Sequence, residues 1–115
     1  MAFNDLEQRR NERDIAKFME RRRPPPEIRT KLDLGYKIDG HSVELFSIRP
    51  DWQDPRKTMT SPIAKTTFVR TKNRWKIYWM RSDLKWHGYE PMPEVHCLEA
   101  FLHVVDRDEY CCFFG

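Results

Sequence analysis

Glycine is scarce in this 115-residue chain. There are four, and none belongs to a G-x-G-x-x-G, P-loop or G-x-S-x-G arrangement. Loops that cradle phosphate and turns that present a nucleophile both need glycine where the backbone comes close or takes a positive φ. Dinucleotide-binding, P-loop and serine-hydrolase chemistries therefore lack their sequence basis. Cysteine is scarce too: three residues form no closed disulfide framework. Met1 to Arg10 contains no apolar leader segment, so the reading is a cytoplasmic protein with reduced thiols. No apolar run approaches the roughly 20 residues of a membrane helix. One sign of charge is also missing locally, because residues 55–89 hold a single acid, Asp83.

The charges that are present are segregated. Residues 1–54 carry eleven bases and eleven acids, whereas residues 55–89 carry nine bases against Asp83. Residues 90–115 carry Arg107 against six acids. The net +3 thus conceals a basic middle and an acidic end, which create a local field. Either the basic middle faces an anionic partner, or the acidic end folds back and neutralises it.

Asn4-Asp5-Leu6-Glu7 is a helix start, with Asn4 as N-cap and Glu7 three residues on. Strong helix formers continue to Arg23, with a charged middle that reads as solvent-facing. Pro24-Pro25-Pro26 then stops the helix and sets a short extended linker. Asp39-Gly40 between two alternating runs predicts a hairpin with Ile38 opposite His41 and Tyr36 opposite Val43. Residues 50–63, holding three prolines, read as a loop. A second hairpin around Lys72-Asn73 pairs Thr71 with Arg74 and Phe68 with Ile77. It places Phe68, Trp75, Ile77 and Trp79 on a core face and Thr67, Val69, Lys76, Tyr78 and Met80 on the opposite one. Glu94 to Val105 reads as a helix whose stripe Leu98, Phe101, Leu102, Val105 has core-facing spacing. The apolar end Cys111-Cys112-Phe113-Phe114 should dock. The expected fold is α+β in one domain. Residues 1–23 form the N-terminal helix, 24–33 a proline-containing linker, 34–89 two antiparallel hairpins in a four-stranded sheet, and 90–115 the C-terminal helix and docked tail.

The block Lys85-Trp86-His87-Gly88-Tyr89-Glu90-Pro91 and the terminus Cys112-Phe113-Phe114-Gly115 resemble a family of short bacterial proteins catalogued as a domain of unknown function. The likeness is densest over residues 74–115. The resemblance implies a bacterial cytoplasmic protein and transfers no activity, ligand or catalytic residue.

The residues themselves point first to a binding surface. A positive groove with aromatic faces is how single-stranded nucleic acid is held. Arg70, Lys72, Arg74, Lys76, Tyr78, Lys85, Trp86, His87 and Tyr89 are the candidates. The bland reading is that Trp75 and Trp79 are core, a helix covers Tyr78, and the cations solvate an edge. The chain is thus read as a non-enzymatic binding module, with nucleic acid as favoured partner and an acidic protein surface second. A metal-dependent nuclease is the alternative, because Pro50-Asp51 and Asp83-x-Lys85 match a Pro-Asp…Asp-x-Lys pattern. With 18 acids and eight lysines in the chain, about one acid-x-Lys arises by chance. His41, His87, His96, Cys97, Cys111 and Cys112 lack zinc-ligand spacing, so no metal or cofactor is assigned. A homodimer through a sheet edge or through Phe113 and Phe114 is a third reading.

Overall fold

A computed structural model describes residues 3–114. Helix α1 spans Asp5–Arg22 and begins with a complete capping box. The Glu7 N–H donates to the Asn4 side chain (2.8 Å) and the Asn4 N–H to the Glu7 carboxylate (3.0 Å), satisfying two of the helix's orphan donors. Ile15 and Phe18 are buried while Leu6 faces solvent. The charged middle is not wholly wet, because Asn11 is buried as well. After the prolines the chain turns instead of extending. The Ile28 N–H donates to the Pro25 carbonyl and Leu32 N–H to Ile28. Arg23 then clamps Asp33 through two 2.7 Å bonds. That fork of charge-assisted bonds brings the helix end to the first strand.

The strands are β1 (Asp33–Asp39), β2 (Ser42–Pro50), β3 (Thr58–Val69), β4 (Arg74–Met80), β5 (Trp86–Gly88) and β6 (Glu94–Val95). They form one antiparallel sheet in the order β1-β2-β3-β4-β5, with β6 also on β4. The expected α+β class with antiparallel strands holds, but six strands replace four. β5 and β6 are three and two residues long, too short for an alternation pattern to announce them. The proline-rich stretch is strand from Thr58 onward. Pro62 is accommodated at a bulge where pairing shifts from Leu45–Ala64 to Phe46–Pro62, a place where a ladder tolerates proline. The extra residue there, Ile63, is buried.

Both predicted hairpins are offset by two residues. Asp39 pairs with Ser42 and Ile38 with Val43, so Gly40 and His41 form the loop and Gly40 takes the positive φ of +58°. Val69 pairs with Arg74, leaving a four-residue loop whose Asn73 adopts φ +51°, a conformation asparagine tolerates. A two-residue slip preserves every side chain's face, since the strand period is two. Val43, Leu45, Ala64, Thr66, Trp75 and Ile77 therefore still point to the core.

Helix α2 (Leu98–Arg107) starts four residues later than the composition suggests, because Glu94–Val95 is spent on β6. Its buried residues are Leu98, Phe101, Leu102 and Val105, the predicted stripe. The two helices pack against each other and against one sheet face, sharing a single cluster with Ile15, Phe18, Leu45, Ile77 and Phe113. The other sheet face carries no helix among the described residues. Among the described residues no helix is long and apolar enough to cross a membrane.

Candidate functional site

Alternation along β4 sends Trp75, Ile77 and Trp79 toward the helices and Arg74, Lys76, Tyr78 and Met80 to the helix-free face. Ladder register then builds that face row by row. Tyr78 has Lys65 beside it on β3 and Gly88 on β5. Lys76 has Thr67 on one side and Glu94 on the other. Met80 pairs with Trp86, which makes Tyr78 and Trp86 diagonal neighbours at roughly 7–8 Å. The Lys65 ammonium lies 5.9 Å from the Trp86 ring centroid, within cation–π range. Gly88 matters by what it omits: a Cβ placed there would meet nothing within 4 Å. One flank of Tyr78 is consequently an open lane bordered by Trp86.

Charge on this face is divided along the sheet. Toward β1, Lys37 is paired with Glu44 at 3.5 Å. Toward β4, the residues Lys65, Arg74 and Lys76 form no ion pair with a carboxylate among the described residues, nor does Lys85 in the β4–β5 turn. Half of the six acids of the C-terminal region are occupied elsewhere. Asp106 pairs with Arg21 and Arg22, Asp108 accepts from the Phe113 and Phe114 N–H groups, and Glu109 pairs with Arg107. Glu94 alone reaches the basic hairpin, 4.0 Å from Lys72.

Several candidates from the sequence fall outside this face. Arg70 is drawn to the helix side, where it forks onto Glu7 (3.0 and 3.2 Å) and holds that carboxyl below its ordinary value. His87 pairs with Trp79 and therefore points away from Tyr78. Its Nε2 lies 2.8 Å from Asp83, which lowers the Asp83 carboxyl in turn. Tyr89 is a correction: at 2% exposure it is core, packed on Phe113 with centroids 4.9 Å apart. Burial pushes its phenol upward in pKa. The reason is simple parity beyond β5, since Gly88 faces out and the following residue faces in. Phe113 is thus covered within its own chain.

The sequence reading missed Lys65 and Gly88. Lys65 shares odd parity with Thr67 and Val69, so its face was legible; its place beside Tyr78 required the true hairpin register. Gly88 could not be placed without recognising β5.

The nuclease trio is not brought together as a site. Asp51 lies in the turn after β2 and Asp83 in the turn after β4, with β3 between, on the order of 10 Å apart in strand spacings alone. Each carboxylate serves its own turn: Asp51 accepts from the Gln53 N–H and Asp83 from the Lys85 N–H, the usual Asx geometry. Among the described residues no group of three or more His, Cys, Asp or Glu could hold a metal ion.

A family model described as domain of unknown function (DUF3024) matches residues 3–115. No curated protein and no solved structure matches the chain.

Proposed function

The chain belongs to this family of unknown function, and on that premise we propose that it is a non-enzymatic binding module whose helix-free sheet face holds single-stranded nucleic acid. The observation that carries the reading is the Tyr78–Gly88 lane. An aromatic ring beside an empty, glycine-floored slot, with Trp86 on its diagonal, offers stacking surface to successive bases. Lys65, Arg74 and Lys76 supply uncommitted cations to track a phosphate backbone along the same side. A short edge such as β5 leaves that lane open for a strand to enter.

The test is titration with short fluorescent single- and double-stranded oligonucleotides at two salt concentrations, with and without a chelator. Binding should favour single strands and be indifferent to the chelator. Tyr78→Ala should weaken it by about 1–3 kcal/mol, the worth of one stacked base. Gly88→Leu should weaken it without altering any charge, because the side chain fills the lane. Wild-type affinity in Gly88→Leu, or no binding even at low salt, would sink the reading. In the second case weight moves to an acidic protein surface. Cutting that the chelator abolishes would instead revive the Asp51, Asp83 and Lys85 alternative.

A further inference from the structure

The bulge in the β2–β3 ladder decides what the far half of the helix-free face presents. Leu45, Ile63 and Ala64 surround it, and all three lie in the core. Alternation along β2 therefore turns Phe46 and Ile48 the other way, and neither packs against the core cluster. Phe46 is half-buried and sits opposite Gly35 on β1 and Pro62 on β3. A Cβ built on Gly35 would stand 2.6 Å from Cε2 and 2.9 Å from Cζ of the Phe46 ring. Facing Cβ atoms in a ladder keep about 4.5–5.5 Å apart, so the far edge of the ring has swung across β1. It rests on the glycine backbone and turns its opposite side away from the sheet. An aromatic ring over a strand glycine is by itself a packing device. Here, however, no helix lies above the ring among the described residues.

We infer that Phe46 is a second platform for a nucleobase, so that a single strand crosses the sheet from β5 toward β1. The inference rests on the reading of Tyr78 as the first platform. Register sets the separation: Tyr78 pairs with Lys65, Lys65 with Glu44, and Phe46 lies two residues beyond Glu44. Two strand spacings across and two residues along make about 12 Å. Stacked bases rise about 3.4 Å apiece, so the two rings take bases that are not neighbours. Single strands permit this, because their bases can be splayed out. Lys65 stands on the strand between the rings, placed to meet a phosphate. Glu44, the carboxylate on that route, is paired with Lys37 at 3.5 Å. Charge also decides against a second copy as the occupant. Face to face, two copies would bring their uncommitted Lys65, Arg74 and Lys76 together, and such like-charge contacts are costly.

The experiment titrates the full chain with a dinucleotide, which fits the Tyr78 lane alone, and with an octanucleotide that reaches both rings. Phe46→Leu should weaken the octanucleotide roughly five- to tenfold and leave the dinucleotide unchanged. That is the lower end of one stacked base's worth, because leucine keeps an apolar contact and loses only the ring face. Phe46→Tyr should restore octanucleotide affinity, since the ring returns. In ¹H–¹³C spectra of the wild type, the Phe46 ring protons should move upfield with the octanucleotide and stay in place with the dinucleotide. Tyr78→Ala, by contrast, should weaken both. Undiminished octanucleotide binding in Phe46→Leu, beside a loss in Tyr78→Ala, overturns the second platform and leaves the first standing. Equal losses for both lengths in Phe46→Leu, or no rescue by Phe46→Tyr, would reveal a structural role and overturn it as well. Should the wild type bind neither oligonucleotide, the reading at Tyr78 falls and this inference falls with it.

Discussion

Asp33 does more for this fold than its place at the edge of a sheet suggests. It receives both prongs of Arg23 and the Leu34 N–H, and these bonds hold its carboxyl at a pKa of about 2. The folded state therefore binds this proton less readily than the unfolded chain. The stabilisation is complete above about pH 4 and drains away as the pH falls toward 2. Thermal unfolding across that window should show Asp33→Asn with a shallower loss of stability on acidification than the wild type. Equal slopes would mean the clamp is energetically idle. None of this was visible from residues 24–33 alone, which read as an extended linker. Proline sets φ but says nothing about a partner ten residues away, and the arginine–carboxylate fork decides that the segment turns.

Short elements organise the C-terminal part. Helix α2 closes on Asp108 in the left-handed region at φ +43°, and the same carboxylate accepts from two tail amides (3.0 and 2.8 Å). Phe113 then packs on Tyr89, and the Arg22 guanidinium lies 4.1 Å from the Phe114 ring centroid. One residue thus closes the helix through its backbone N–H and docks the tail through its carboxylate. Cys112 reports on this arrangement: burial, then the charge of Asp108, raises its thiol pKa, whereas Cys111 is exposed. Alkylation followed residue by residue should find Cys112 several-fold slower than Cys111, because the thiolate is the reactive form. Asp108→Ala should shrink that gap by freeing the tail and removing the charge. An unchanged ratio would show that Asp108 does not hold the tail. The stripe of α2 was legible because four apolar residues at helical spacing carry their own signal. β5 and β6 were not, since two or three residues contain no period.

At the scale of the whole molecule the governing fact is asymmetry. Both helices cover one sheet face, so substitutions there disturb a shared core while those on the other face meet solvent. That asymmetry allows a quantitative expectation for the proposed interface. Three uncommitted cations, Lys65, Arg74 and Lys76, each releasing about 0.7 counterion from a single strand, give a log–log salt slope near −2. Lys76→Glu should reduce its magnitude by about one cation's worth and leave the unfolding midpoint almost unmoved, as surface changes usually do. A slope near zero would argue that the cations do not meet phosphate. The overall +3 could not have supplied this number, because half of the other bases are paired with carboxylates within the fold.

Read alone, the residue order determined the class, the capping box of α1, the stripe of α2 and the two faces of the central strands. These depend on local chemistry and on periods of 3.6 and 2, which survive even a register slip of two. It could not determine which cation stands beside which ring, that Tyr89 turns inward, or that Asn11 is buried without a partner. Those are outcomes of strand register, of five residues in two minor strands and of the packing of α1 on α2. Such contacts join positions far apart in the chain, where no local pattern carries the information.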